Sequence, residues 1–312
     1  MSPKGGEVVP CLLSPRRAPA VSVVEGRLTI KEETAMPKFH HFSYTSLSDY
    51  QQCQRKFYFK HVRRLEPPMR QLALEFGSAW HAAMHTWHLE RDQAKALAVF
   101  KEKFQDDPND ALRTQATAAR MLKNYVGRYA QEPFTVVGSE EYGEFTAGGF
   151  LFVFRTDKRI LWDKRPWLLE HKTTKYLSYT YFSQFKPNLQ CDMYLIGARE
   201  QWGIPYHDIL IDASWVGTEG TKKKLEEQHV RDTTNRTDSE AEEAKKIIVD
   251  LATEITGKET FEQFIPNFGS CAEFGGCPFK AVCGAPPDAR ERIIEAEFRV
   301  KPPQEEVKNG RS

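Results

Sequence analysis

The run Leu168-Leu169-Glu170-His171-Lys172 decides how this chain is read. Two leucines followed by alternating polar residues form a β-strand pattern, and a strand sets Glu170 and Lys172 on one face. With Asp157 on the neighbouring strand, two carboxylates and an ammonium meet at one strand end. That set suits a hard divalent cation and a phosphodiester. The acidic pair holds the ion, and the lysine steadies a developing oxyanion or the attacking water. A bare Glu-x-Lys is equally an ordinary same-face ion pair, so its surroundings must discriminate.

Outward from this run, Phe134 to Val137, Gly149 to Phe154 and Trp167 to Lys172 read as short strands. Gly148-Gly149 and Asp163-Lys164-Arg165-Pro166 supply the turns, which makes Asp163 a turn residue and brings Asp157 close to Glu170. Downstream, a helix over Pro187 to Gln201 places Gln190 and Tyr194 one turn apart on a shared face. The buried run Ile209 to Val216 follows, and a helix crossing between two strands predicts a parallel pair. Ser239 to Thr256 is amphipathic and ends at Gly257.

The upstream half is helical. A first helix starts near Tyr44 with Thr45 or Ser46 as cap, contains Cys53, and stops before Pro67-Pro68. Its cations, Arg55 to Arg64, interleave with Phe57, Tyr58 and Phe59; this mixture can grip a nucleic-acid strand, but core aromatics under solvated cations explain it more simply. A second helix, Leu74 to Leu89, carries Glu75, Gly77, His81, His85 and His88. His81 and His85 have the spacing of a zinc-protease helix but lack its glutamate, which excludes that class. Arg91 to Gln105 and Asp110 to Gln131 read as packing helices.

With 312 residues and 40% apolar content, the chain can bury one large core or two small ones. The net charge of +1 hides a segregation. Arg155 to Lys175 holds seven basic against three acidic residues, and Leu225 to Glu262 holds five against eleven. A basic stretch beside the acidic pair is what a polyanionic substrate requires. No apolar run is long enough to span a membrane and the amino terminus lacks the order of a secretory signal, so the chain is read as cytoplasmic. Residues 1–38 read as a disordered leader, with Met36 a candidate start, and 300–312 as a loose tail.

Cys271, Cys277 and Cys283 cluster among turn-forming Gly275, Gly276 and Pro278. Three thiols need a fourth ligand, and Cys53 is the best candidate, because Cys11 lies in the leader and Cys191 on a patterned helix. Four thiolates suit zinc or an iron-sulfur cluster. Paired Cys-x2-Cys knuckles are missing, which favours iron-sulfur over zinc; reduced cysteines in a loop are the bland alternative.

Taken in order, Cys53, Glu75-x-Gly77-x3-His81, Asp157, Glu170-x-Lys172, Gln190-x3-Tyr194 and three late cysteines resemble the RecB-like branch of the PD-(D/E)XK nucleases. The resemblance covers roughly Phe39 to Cys283. It implies an α/β, restriction-endonuclease-like mixed central sheet flanked by helices, with residues 39–299 as the nuclease domain. It further implies that His81, Asp157, Glu170 and the His171 carbonyl bind Mg or Mn, and that Lys172 is catalytic. Gln190 and Tyr194 would face DNA, and Cys53, Cys271, Cys277 and Cys283 would hold a 4Fe-4S cluster that staples the two chain ends. Two departures stand out. The first gap between the late cysteines is wider than the family's, and the usual Gly-x-x-Asp is here Phe154-Arg155-Thr156-Asp157.

The expected function is therefore a metal-dependent DNA exonuclease acting on single strands or ends, in recombination, repair or processing. No helicase P-loop occurs, so unwinding needs a partner such as a helicase or recombination protein. The rivals are a catalytically inactive DNA-binding or assembly subunit and a zinc-stapled binding module.

Overall fold

A computed structural model of the chain describes residues 41–218 and 223–302. The expected leader over 1–38, the candidate start Met36 and the tail from 303 onward lie outside the described residues.

Helix α1 (Tyr44–Gln52) starts where expected, but its cap is Ser43 rather than Thr45 or Ser46: the Ser43 hydroxyl accepts from the Ser46 N–H while Ser46 returns the bond. Cys53 is not inside a helix. It is extended, at φ −164° and ψ 114°, and breaks the run between α1 and α2 (Gln54–Phe57). The chain passes through a π turn, Tyr58–Val62, to the short β1 (Leu65–Glu66). Helices α3 (Leu72–Glu90), α4 (Gln93–Lys103) and α5 (Gln115–Arg128) follow, with Asp92 capping α4 and Thr114 capping α5.

The sheet is built from β2 (Phe134–Ala147), β3 (Phe150–Trp162), β4 (Arg165–Thr174), then α6 (Leu189–Trp202) and β5 (Asp208–Trp215). After α7 (Leu225–Gln228) comes β6 (His229–Asn235), followed by α8 (Asp238–Thr256), α9 (Lys280–Gly284), α10 (Arg290–Glu297) and β7 (Arg299–Val300). Strand order is β2-β3-β4-β5-β6, antiparallel except for the parallel pair β4–β5. This is the crossover that a helix between two buried strands predicts, with α6 as the connection. The expected first two strands are correct in place but far too short. Asp163 and Lys164, at φ 48° and 61°, make the left-handed two-residue turn joining β3 to β4.

Alternation along β4 separates two environments. Leu168 packs with Ile209, Ile211 and the α6 residues Cys191, Leu195 and Ala198, whereas Leu169 packs with Ile160, Leu210 and Phe134. Helices α1, α6 and α8 share a core with Phe145, Phe152 and Phe154, and α3, α4 and α5 share another around Trp80. The short β1 pairs with β7, so Val300 and Lys301, read as the start of a loose tail, bond to Leu65 and Arg64.

Candidate active site

Strands β3 and β4 run in register from Trp162↔Arg165 to Lys158↔Leu169, and there the ladder stops. At the next step the Asp157 carboxylate takes the place of a main-chain partner, its Oδ2 accepting the His171 N–H at 2.7 Å. Strand β4 continues to Thr174 alongside β5, so the gap opens beside Glu170 and Lys172. Helix α3 enters the gap with His81, whose Nδ1 lies 2.9 Å from Asp157 Oδ1. Helix α6 brings Gln190 and Tyr194. Lys172 Nζ donates to Glu170 Oε1 at 2.7 Å and to Gln190 Oε1 at 2.9 Å. Gln190 Nε2 donates to the same Glu170 oxygen at 2.9 Å and to the Tyr194 hydroxyl at 3.0 Å.

The structure adds Glu140, which the sequence reading missed. His81, Glu140 and Asp157 each offer a ligand atom, all within 4.8 Å of one another. Glu140 sits in β2 between the pairs Ser139↔Lys158 and Glu141↔Thr156, at a left-handed φ of 56°. That conformation costs a non-glycine residue on the order of 1–3 kcal/mol. Its Oε2 bonds Arg155 at 2.8 Å, while its Oε1 is buried without a hydrogen-bond partner. Glu170 Oε2 is in the same condition. His81, Asp157 and the unsatisfied Glu140 oxygen form a donor set that fits a hard divalent ion, and Glu170, though nominated with Asp157, lies outside that group among the described residues. Nothing in Ser139-Glu140-Glu141 marks one glutamate over the other; only the strained φ and the facing strand single out Glu140.

Electrostatics separate the two predicted carboxylates. Burial would raise Asp157, but His81, Lys158 and the His171 N–H outweigh it and keep the carboxyl low. Burial, and then the charge of Asp157, raise Glu170 against the pull of Lys172 and His81. For Lys172, burial works against the charge, and Glu170 more than restores it, so the ammonium persists. Two acids pushed apart beside a retained cation are the pattern of a built site.

The other nominated residues divide. The His171 imidazole points to the opposite face, with Nε2 3.0 Å from the fully buried Lys158 Nζ. There Tyr125 donates to Asp212 at 2.6 Å, and Arg231 bonds Asp212, Tyr125 and Glu132, locking β5 and β6 against α5. His85 bonds Ser139 at 2.7 Å instead of joining His81 on one ion. Much of the basic stretch is used internally: Arg155 on Glu140, Arg159 on Glu141, Lys172 on Glu170. The simpler view of the first helices holds for the aromatics, whereas several of the cations are ion-paired rather than solvated. Phe57 and Phe59 are core, Lys56 and Lys60 bind Asp49 at 2.7 Å, and Arg63 binds Glu291.

The cysteines lie around Asn267 and the α1–α2 break. Asn267 N–H donates to Cys53 Sγ at 3.3 Å, and Cys271 Sγ is 3.8 Å from the Asn267 carbonyl oxygen. The Cys277 thiol is raised by burial and by neighbouring Cys53 and Cys271, and Arg55 reaches Cys283 Sγ at 4.0 Å. Cys191 is elsewhere, in α6, where burial pushes its thiol up to about 12.

Compared with known proteins, residues 41–284 match the sequence profile of the PD-(D/E)XK nuclease superfamily. The chain belongs to that superfamily. No curated protein matches its sequence. Among solved structures it is similar to a candidate exonuclease from Eubacterium rectale, with 11% identity, a TM-score of 0.45, and coverage of 71% of this chain and 83% of the other. It is also similar to an alkaline exonuclease from Laribacter hongkongensis, with 13% identity, a TM-score of 0.28, and coverage of 58% and 94%.

Proposed function

We propose that this nuclease is a Mg- or Mn-dependent deoxyribonuclease that hydrolyses DNA at single strands or ends. The observation that carries the reading is the meeting of Asp157, Glu170 and Lys172 with His81 where β3 leaves β4. His81, Asp157, Glu170, the His171 carbonyl and, added here, Glu140 would hold the ion. When bound, the ion supplies an acidified water and neutralises charge at the scissile phosphate. Lys172, charged and fixed by Glu170 and Gln190, orients that water or faces the developing phosphoryl oxyanion. Tyr194 holds Gln190, and the pair reaches toward the DNA. A 4Fe-4S cluster on Cys53, Cys271, Cys277 and Cys283 would tie the α1–α2 break to the carboxy-terminal turns; what supports it is that Cys53 and Cys271 both approach Asn267 and that Arg55, just after Cys53, reaches Cys283. Processing, repair or recombination alongside a helicase is the setting this chemistry fits.

End-labelled linear and circular DNA incubated with Mg or Mn tests the reading. Linear substrate should be degraded and circular duplex spared, and Glu170→Gln should reduce the rate by about 10²–10³-fold. Because Glu170 Oε2 is buried and unpartnered, the same change should leave the melting temperature equal or higher. Wild-type protein that binds DNA but never cleaves it would favour the assembly-subunit alternative.

A further inference from the structure

The loop between β4 and α6 displays two tyrosines outward. Tyr179 is 96% exposed and Tyr176 73% exposed, in a segment that starts directly after the strand bearing Lys172. Rings displayed this way contribute nothing to the core, yet the backbone beneath them is fixed. Leu177 is buried, Lys223 Nζ donates to the Leu177 carbonyl at 2.7 Å, and Trp215 Nε1 donates to the Lys175 carbonyl at 3.1 Å. The Tyr176 N–H bonds Thr174 Oγ1 at 3.1 Å, and Phe185 anchors the far end. One cation accompanies the rings, Lys175 Nζ at 5.1 Å from the Tyr176 ring centre; Lys223 and Arg120 lie 5.8 and 6.0 Å from the ring of Trp215, and Arg120 donates to the Gly217 carbonyl.

We propose that Tyr176 and Tyr179 are a stacking platform for unpaired nucleotides of the substrate strand, with Lys175 and Lys223 taking the adjacent phosphates. The proposal rests on the deoxyribonuclease reading and narrows its substrate to DNA with unpaired bases. Rings that stack bases and cations that track a backbone together define a single-strand surface. A duplex offers no free base face to these rings, and charge complementarity favours a polyanion over an apolar protein partner. Position agrees. Tyr176 is four residues from Lys172, at most about 14 Å along an extended chain.

The test is fluorescence anisotropy in EDTA, which separates binding from cleavage. Its ligands are a labelled oligothymidylate, an abasic strand of equal length and a blunt duplex. The double variant Tyr176→Ala/Tyr179→Ala should bind oligothymidylate at least about tenfold more weakly. Its affinity for the abasic strand and for the duplex should not change, and Tyr176→Phe/Tyr179→Phe should restore wild-type binding. Unchanged oligothymidylate binding in the alanine variant, equal loss on the abasic strand, or no rescue by phenylalanine would each overturn the platform. Wild-type digestion of linear DNA is measured in parallel. If digestion proceeds while any of those three results appears, the platform fails and the nuclease reading stands; if wild type neither binds nor digests DNA, both fail.

Discussion

At the residue scale the site depends on side chains held in costly states. Glu140 carries a left-handed backbone and a buried unpartnered oxygen, and both are offset if that oxygen ligates an ion. Glu140→Gln should therefore weaken Mn binding by about tenfold or more, measured by calorimetry on folded protein. Equal affinity in the variant would remove Glu140 from the ligand set. Away from the site, Asp49 accepts from Lys56, Lys60 and His61 at 2.7–2.8 Å. Burial alone would raise its carboxyl, but His61 and the two lysines hold it well below the usual carboxylate range. A carboxyl depressed in the folded state stabilises above its unfolded value of about 4, and that contribution, on the order of 2–3 kcal/mol, is lost as pH falls below it. Thermal melts from pH 6 to pH 3 should show wild type losing stability more steeply than Asp49→Asn.

At the element scale, the seating of α6 on the sheet decides whether Gln190 and Tyr194 reach Glu170 and Lys172. Phe154 stands where the family pattern has glycine, and its ring compensates by filling space next to two other glycines. A Cβ added at Gly197 or at Gly143 would meet that ring at 2.4 Å. Helix α6 can lie this close to β3 only because position 197 has no side chain. Gly197→Ala should cost about 1–3 kcal/mol of stability, despite the better helix propensity of alanine, through overpacking. Because a displaced α6 moves Gln190, cleavage should fall as well, in a protein whose circular dichroism is unchanged. A stable, fully active Gly197→Ala protein would show that the contact relaxes without moving the helix.

At the scale of the whole molecule, the first helices and the carboxy-terminal turns converge from opposite ends of the described chain. The β1–β7 ribbon, the Arg63–Glu291 pair and the cluster of Phe59, Leu65, Phe279 and Phe298 already join them. A cluster held by Cys53 with Cys271, Cys277 and Cys283 would close a loop of roughly 200 residues and add on the order of 5 kcal/mol in the loop-entropy account. Cys53→Ala should then lose iron, brown colour and thermal stability together, whereas Cys191→Ala should retain all its iron. Iron content and melting temperature, measured on anaerobically purified proteins, check this. Full iron in Cys53→Ala would exclude it as a ligand.

The sequence by itself determined the strand carrying Glu170 and Lys172, the turn before it and the parallel crossover, because each depends on local pattern: alternation in Leu168 to Lys172, turn residues in Asp163 to Pro166, and a helix between two buried runs; His81, Gln190 and Tyr194 became nominees only through the order of motifs that resembles the nuclease family. Strand lengths were not legible, since Ser139 to Ala147 pairs with β3 through backbone bonds that any side chain permits. Only the tertiary structure decided that Cys53 breaks its helix and that Glu140 faces Asp157. It alone turned the His171 side chain away from the site into the network of Lys158, Asp212 and Arg231. Those are properties of contacts far apart in sequence, where the partner across the gap sets a residue's conformation and charge, and no local period encodes the partner.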